Sequence, residues 1–144
     1  MGLIRLGDKP PLTVEPDQTV FQAACAMTER QVGAAAVVED GRVLGVISER
    51  DVLKKVVVAR RDPAATRVGD IMSSPALSVN VKTSVADAAD LMRKNHIRHL
   101  VVLNKDGELV GMLALRYLLY DLMDDMQRNV GDLMGYIMTD GPGG

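Results

Sequence analysis

The sequence predicts an α+β fold of mixed α/β character, in which two βαββα units pack on each other with pseudo-two-fold symmetry and a C-terminal helix follows. Three observations support this prediction: an internal repeat, a regular order of helical and strand periodicity in each copy, and a length of 144 residues. That length is about one ordinary domain. Because a three-stranded unit buries too little apolar surface alone, the two copies are expected to form one unit.

The internal repeat relates many positions by one offset, which is unlikely to arise by chance. The first matched positions lie 65 residues apart: Thr13-Val14 and Ser78-Val79, Thr19-Val20 and Ser84-Val85, Ala23-Ala24 and Ala88-Ala89, Met27 and Met92. After one extra residue at Asp106, the offset becomes 66 and relates Gly41 to Gly107, Gly45 to Gly111, Arg50 to Arg116 and Leu53 to Leu119. The chain therefore divides into a first module at 8–62, a second at 63–125 and an extension at 126–140.

Local periodicity predicts the same order of elements in both copies. In the first copy, residues 20–27 have the spacing of an amphipathic helix, and 35–38 and 43–47 are apolar runs typical of strands, joined by a tight turn at Asp40-Gly41. A second helix is expected from Glu49 to about Arg60. The second copy repeats a helix over 85–94, strands over 100–103 and 109–113, and a further helix. A polar, Pro-interrupted linker at 61–66 joins the copies.

Composition argues against several classes of function. The chain has 17 basic and 19 acidic side chains without a basic cluster, which argues against a nucleic-acid surface. Its apolar stretches are far shorter than the roughly 20 residues that cross a bilayer, and its start lacks a secretory segment, so a cytoplasmic location without membrane attachment is expected. The one cysteine, Cys25, cannot form a disulfide within the chain and is interpreted as a reduced thiol on a helix.

The most specific motif is Gly45-Val46-Ile47-Ser48-Glu49-Arg50-Asp51. It fits, at every position, the Gly-x-[Ile/Val]-[Ser/Thr]-x-x-Asp signature of the CBS domain family, and 32–34 and 98–102 resemble the beginning of that family's second strand. Residues 8–125 thus resemble a pair of CBS domains, or Bateman module, similar to short stand-alone bacterial proteins of the family. The resemblance implies a ligand such as AMP, ADP, ATP, NAD or S-adenosylmethionine, held in a cleft between the modules.

The resemblance assigns ribose binding to Asp51 and Ser48. An ionised Asp offers two acceptor oxygens to the vicinal hydroxyls of a ribose, and Ser48 offers a hydroxyl toward the nucleoside or its first phosphate. The same residues also fit a helix N-cap, in which Ser48 accepts from the N3 amide and Asp51 replaces the usual Glu of a capping box. Ser48 can serve both roles.

The family's geometry implies that phosphates meet the beginning of the second module's strand, at Arg98 and His99. Arg98 supplies a charged fork, and His99 can donate a hydrogen bond and gains charge near neutral pH beside an anion. The alternative is a solvated arginine and a satisfied, half-buried histidine. Arg50 and Arg116, equivalent in the repeat, approach phosphates or stay solvated. His96 and His99 have no carboxylate or Cys at a matching spacing, so no metal site is expected.

The adenine slot is implied by the resemblance alone and is assigned to five residues: Val46, Ile97, Asp70, Pro75 and Ala76. In the second signature, Ala114 replaces the hydroxyl residue and Tyr117 replaces the Asp. A phenol cannot bind two ribose hydroxyls as a carboxylate does. One nucleotide site per chain is therefore expected, and the degenerate cleft, which also includes 32–34 (Val32, Gly33 and Ala34), is empty, filled by Tyr117, or adapted to another group.

The C-terminal extension keeps an apolar helical spacing at nine positions: Leu118, Leu119, Leu122, Met123, Met126, Val130, Leu133, Met134 and Ile137. Gly131 and Gly135 interrupt it, so a long or bent amphipathic helix is expected. Such a helix packs within the chain, forms the seam of a homodimer, or uses its methionines to bind a partner.

These observations favour a sensor that binds an adenosine ligand and signals its occupancy to an unknown effector protein. The alternative is a non-catalytic dimerisation or interaction protein with a vestigial pocket. An enzyme is disfavoured, because the sequence has no nucleophile with an adjacent base, no paired carboxylates and no P-loop.

Overall fold

The computed structural model describes residues 10–129 as two three-stranded sheets with helices. The first half contains β1 (Thr13–Val14), α1 (Val20–Arg30), β2 (Ala34–Glu39), β3 (Arg42–Ser48) and α2 (Glu49–Val52), which continues into a π-helical turn at Leu53–Val57. The second half contains α3 (Val68–Ile71), β4 (Ser78–Asn80), α4 (Val85–Asn95), β5 (His99–Leu103), β6 (Leu109–Ala114) and α5 (Leu115–Asn129). None of the helices within residues 10–129 combines the length and the hydropathy of a membrane span.

Both sheets have the same topology. β1 is parallel to β2, which is antiparallel to β3, and β4, β5 and β6 repeat this pattern. The register shifts after Val37 in one sheet and after Val102 in the other, and these positions are 65 residues apart. The predicted mixed α/β fold with two βαββα units is confirmed.

The helices begin and end with the same devices in both copies. Thr19 closes a capping box with Gln22 at the start of α1, and the Ser84 hydroxyl accepts from the Asp87 amide, at 3.0 Å, at the start of α4. Both helices end on a left-handed residue, Gln31 with φ 56° and His96 with φ 54°. The repeat thus extends to the backbone conformation of its turns.

Two sequence predictions differ from the structure between the modules. The helix expected from Glu49 to about Arg60 ends at Val57, because its second turn is π-helical and Arg60 has a left-handed φ of 58°. The linker predicted at 61–66 is followed by α3, whose four residues are too few to produce a recognisable periodicity. Residues 8–9 and 130–140 of the predicted modules and extension lie outside the described residues.

Each half has its own apolar core, and α3 packs in the first one. The first core contains Val14, Val20, Ala23, Met27, Ala35, Val37, Ile47, Val56, Val68 and Ile71, and the second contains Val79, Ala88, Met92, Leu100, Val102, Leu113 and Leu118. Val68 and Ile71 are 0% and 1% exposed. The Val68 amide donates to the Gln18 carbonyl at 2.8 Å, so the chain returns to the first module before it enters β4.

Ile71→Ala is expected to destabilise the first core although residue 71 follows the linker. Removing a fully buried Ile costs about 2–5 kcal/mol of the free energy of unfolding. Asp70→Ala, at the exposed neighbouring position, is the matched control and should change it by no more than about 0.5 kcal/mol. Urea unfolding measures both variants, and equal stability of the two would contradict this packing.

Candidate ligand-binding site

A cleft between the two modules encloses about 200 Å³. Its walls come from three parts of the chain: the first module (Gly33, Val46, Ser48, Glu49, Arg50, Asp51), the connecting segment (Ser73, Pro75, Ala76, Leu77) and the second module (His96, Ile97, Arg98, His99). The structure thus brings together the predicted ribose residues, the predicted phosphate residues Arg98, His99 and Arg50, and four of the five predicted adenine residues.

Asp51 and Ser48 form the capping box at the start of α2. The Asp51 amide donates to the Ser48 hydroxyl at 3.3 Å, and the Ser48 amide donates to Asp51 Oδ2 at 3.0 Å. The Ser48 hydroxyl also donates to the same oxygen at 3.0 Å. The helix-capping interpretation of these residues is therefore realised in the structure, on the wall of the cleft.

The other oxygen of the Asp51 carboxylate binds two groups that the sequence did not single out. Ser73 Oγ donates to Oδ1 at 2.9 Å, and Lys55 Nζ lies 3.1 Å from the same atom. An ionised carboxylate has about four lone-pair positions, and four donors now fill them. Since Asp51 is only 7% exposed, these donors replace water around its charge.

The connecting segment is held against the edge of β3. Val46 and Ser73 exchange both backbone hydrogen bonds, at 3.0 and 2.9 Å, and Lys55 Nζ donates to the Ile71 carbonyl at 2.8 Å. A Cβ at Gly45 would lie 2.5 Å from the Ser73 carbonyl oxygen, so only glycine allows this approach. The glycine of the signature therefore places Ser73 beside Asp51.

Arg50 and Arg98 bring positive charge to the mouth of the cleft from opposite modules. Arg50 Nη1 donates to the His96 carbonyl at 3.3 Å, and this bond joins the start of α2 to the end of α4. Arg98 is exposed, and its carbonyl accepts from the Leu115 amide at 2.8 Å. The guanidinium group of Arg98 can thus face a ligand while its backbone is fixed.

His99 is half-buried at the start of β5 and faces Glu49 and Gly33 of the first module. The Glu49 carboxylate occupies the space that a side chain on Gly33 would fill. His99 Cε1 lies 3.4 Å from the position that a Cβ on Gly33 would take. Burial lowers the pKa of His99, the guanidinium groups of Arg116 and Arg98 lower it further, and Glu49 opposes them. The imidazole is therefore more strongly neutral than that of a free histidine.

Apart from Gly33, the remaining predicted site residues are not part of the cleft lining. Gly33 was assigned to the second cleft but lines the first, because its missing side chain makes room for Glu49. Asp70, assigned to the adenine slot, is exposed on α3 and is not part of the lining. Arg116 lies with its guanidinium carbon 4.9 Å from the centre of the Tyr117 ring and also lies outside the lining.

The other residues predicted for the degenerate cleft pair within the sheets, pack against the first core or contact Arg116. Ala114 pairs with His99 across β5 and β6, Ala34 pairs with Ser48 across β2 and β3, and Val32 packs against the first core. Tyr117 is 40% exposed under the Arg116 side chain. The carboxylate and the hydroxyl of the first signature have no counterpart at these positions.

His99 is expected to lower the free energy of unfolding of the protein as the pH is lowered. Because its pKa lies below the unfolded value of about 6.5, the unfolded chain binds more protons between the two values, and the free energy of unfolding rises with pH there. His99→Asn removes this contribution. Urea unfolding between about pH 5 and pH 8 should show a smaller slope for the variant, and identical slopes would contradict the burial of a neutral imidazole.

Comparison with known proteins matches both halves of the chain. The sequence profile of the CBS domain matches residues 5–58 and 68–124. A mitochondrial CBS domain-containing protein of Arabidopsis thaliana is 37% identical over 121 residues, which cover 78% of this chain and 58% of the plant protein. A CBS domain-containing protein of Bacillus subtilis is 38% identical over 103 residues, which cover 72% of each chain.

Solved structures have the same fold. A protein with CBS domains from Burkholderia ambifaria superposes with a TM-score of 0.80 at 28% identity and covers 90% of this chain and 99% of its own. A CBS domain protein from Pyrobaculum aerophilum, solved in complex with AMP, has a TM-score of 0.75 at 34% identity and covers 81% and 89%. With two profile matches over more than half of its length, the chain belongs to the CBS domain family and carries a pair of CBS domains.

Proposed function

We propose that this chain is a non-catalytic sensor in the cytoplasm that binds one adenosine-containing ligand between its CBS domains and signals occupancy to an effector protein. The observation that carries the proposal is the composition of the cleft. A buried carboxylate, Asp51, lies on one wall, and Arg98 lies on the other. The AMP complex of the Pyrobaculum aerophilum relative supports an adenosine ligand.

A ribose would bind Asp51 by exchange of hydrogen bonds. All four acceptor positions are filled, so two ribose hydroxyls must replace two present donors. The hydroxyls of Ser48 and Ser73 line the cleft and can rotate, whereas the Ser48 amide is fixed and Lys55 is not part of the lining. The displaced Ser48 hydroxyl remains beside the ligand, where it can bind one of the ligand's oxygens.

Signalling follows from the contacts that a phosphate would replace. Arg50 is bound to the His96 carbonyl of the other module, and a phosphate is a stronger acceptor for a guanidinium group. The cleft of about 200 Å³ is also smaller than the roughly 300–1,000 Å³ of typical ligand sites. A nucleotide therefore favours a different spacing of the modules, and this differential affinity shifts their equilibrium.

A second candidate function is an interaction protein with a vestigial pocket. One observation favours it: Asp51 caps α2 and holds Ser73 through contacts within the chain, so its presence has a structural reason. An enzyme is disfavoured by the sequence, which has no nucleophile with an adjacent base, no paired carboxylates and no P-loop.

The protein is also proposed to form a homodimer through its helices. Leu53 and Leu119 occupy equivalent positions of the repeat and are 57% and 46% exposed. Val57 and Tyr120, each close to one of these leucines in the chain, are 61% and 59% exposed. Equivalent apolar faces on both modules suit a two-fold interface between identical chains.

Ligand binding is expected to depend on the carboxylate of Asp51. Isothermal calorimetry with AMP, ADP, ATP, NAD and S-adenosylmethionine should give a measurable dissociation constant for at least one of them. Asp51→Asn removes the charge and puts an amide donor where the ribose must donate, so the dissociation constant should rise at least about tenfold, or 1.4 kcal/mol.

Ser73→Ala is the matched control, because it removes a competing donor but keeps the carboxylate. It should bind at least as tightly as the wild type. Equal affinity of Asp51→Asn and wild type would overturn the ribose site, and an absence of binding by all five compounds would overturn the sensor proposal.

Leu53→Glu and Leu119→Glu are expected to separate the dimer, since each places a charge in the proposed apolar seam. Light scattering after gel filtration should give one chain mass for the variants and two for the wild type. Both leucines are exposed, so thermal melting should show that the variants remain folded. A wild-type monomer at micromolar concentration would rule out the homodimer.

A further inference from the structure

We propose that Glu49 selects the ligand by its charge: the cleft accepts a single phosphate, or a neutral or cationic group, beyond the ribose and disfavours a chain of two or three phosphates. This inference rests on the proposed function, because it concerns the same cleft. It assigns to Glu49 a role that the signature leaves open, since the family pattern requires no particular residue at that position.

Glu49 lies among the groups that would surround the phosphates. It lines the cleft next to Arg50. Its carboxylate lies against Gly33, and the imidazole of His99 from the other module approaches the same glycine. Its amide donates to the Gly33 carbonyl at 3.0 Å, which fixes its backbone. Arg50 and Arg98 line the same cleft as the Glu49 carboxylate.

The charged side chains of the lining favour a single phosphate group. Two guanidinium groups, Arg50 and Arg98, share the lining with the Glu49 carboxylate, whereas the charge of Asp51 is already paired with Lys55. A phosphate monoester carries a charge of about −1.5 to −2 at pH 7, which this excess of positive charge partly neutralises. Further phosphates find no additional lysine or arginine in the described lining and approach the carboxylate of Glu49.

The fold itself does not need an acid at this position. The equivalent residue of the second repeat is Leu115, which begins α5 and packs against the second core. The same strand-to-helix junction therefore forms with an apolar side chain. Glu49, in contrast, is exposed to the cleft rather than packed in a core.

The test measures AMP and ATP binding by isothermal calorimetry, without divalent cations, for the wild type and Glu49→Gln. The wild type should bind AMP at least about tenfold more tightly than ATP. Glu49→Gln should strengthen ATP binding about tenfold and AMP binding no more than about threefold, because a carboxylate repels the more highly charged ligand more strongly. Glu49→Lys should change the ratio further in the same direction.

Glu39→Gln is the matched control, since it removes the same charge from an exposed position at the end of β2. It should change both dissociation constants by less than about twofold. If Glu49→Gln leaves the ratio of AMP to ATP affinity unchanged, the charge filter is overturned while the sensor proposal stands. If the wild type binds none of the adenosine compounds, the sensor proposal fails and the filter fails with it.

Discussion

The carboxylate of Asp51 is the interaction on which the rest of the cleft depends. It closes the first turn of α2 through Ser48, and it holds the connecting segment through Ser73 and Lys55. A charge with little exposure to water requires this number of donors. One buried group thus fixes the helix start, the β3 edge and the position of Ser73 relative to one another.

A ribose that replaces hydroxyl donors on Asp51 exchanges hydrogen bonds of the same kind, so the net gain in binding free energy at that contact is small. The proposed adenosine ligand would then gain most of its affinity from the apolar surface of its base and from charge in the cleft. An amide at position 51 would still weaken binding, because it would oppose a ribose hydroxyl with a second donor.

Much of the fold could be predicted from the sequence because it depends on local patterns. The apolar runs and the Gly45 to Asp51 motif are local, and they predicted the helices, strands and turns of each copy. The resemblance to CBS domains implied that Asp51, Ser48, Arg98 and His99 share one cleft, and all four line the same cleft in the structure. The contact of Lys55 with Asp51 could also have been predicted, since Lys55 follows Asp51 by four residues on a helix.

The contacts that the sequence did not predict join distant parts of the chain. Ser73 reaches Asp51 across 22 residues, and only the return of α3 to the first core brings it there. Gly33 was expected in the second cleft but lines the cleft of Asp51, because its surroundings depend on a side chain from another element, Glu49. Asp70 lies on a helix too short to show its facing direction in the sequence.

The two repeats differ at the polar residues of the first signature and its helix while their core positions match. Ser48, Asp51 and Lys55 are replaced by Ala114, Tyr117 and Asp121, and Asp121 Oδ1 is buried without a hydrogen-bond partner among the described residues. The backbone accepts these changes because bulges and core packing do not involve them. A duplicated scaffold can therefore differ at these polar positions and keep its shape.

The position of Val68 and Ile71 has a consequence for how such proteins can be rearranged. A fragment that ends at the boundary of the sequence repeat would lack two of the side chains that fill its own interior. Gene segments that encode one repeat are thus poor units for recombination or transplantation. The smallest transferable piece of this half must include the first residues of the following repeat, at least as far as Ser73.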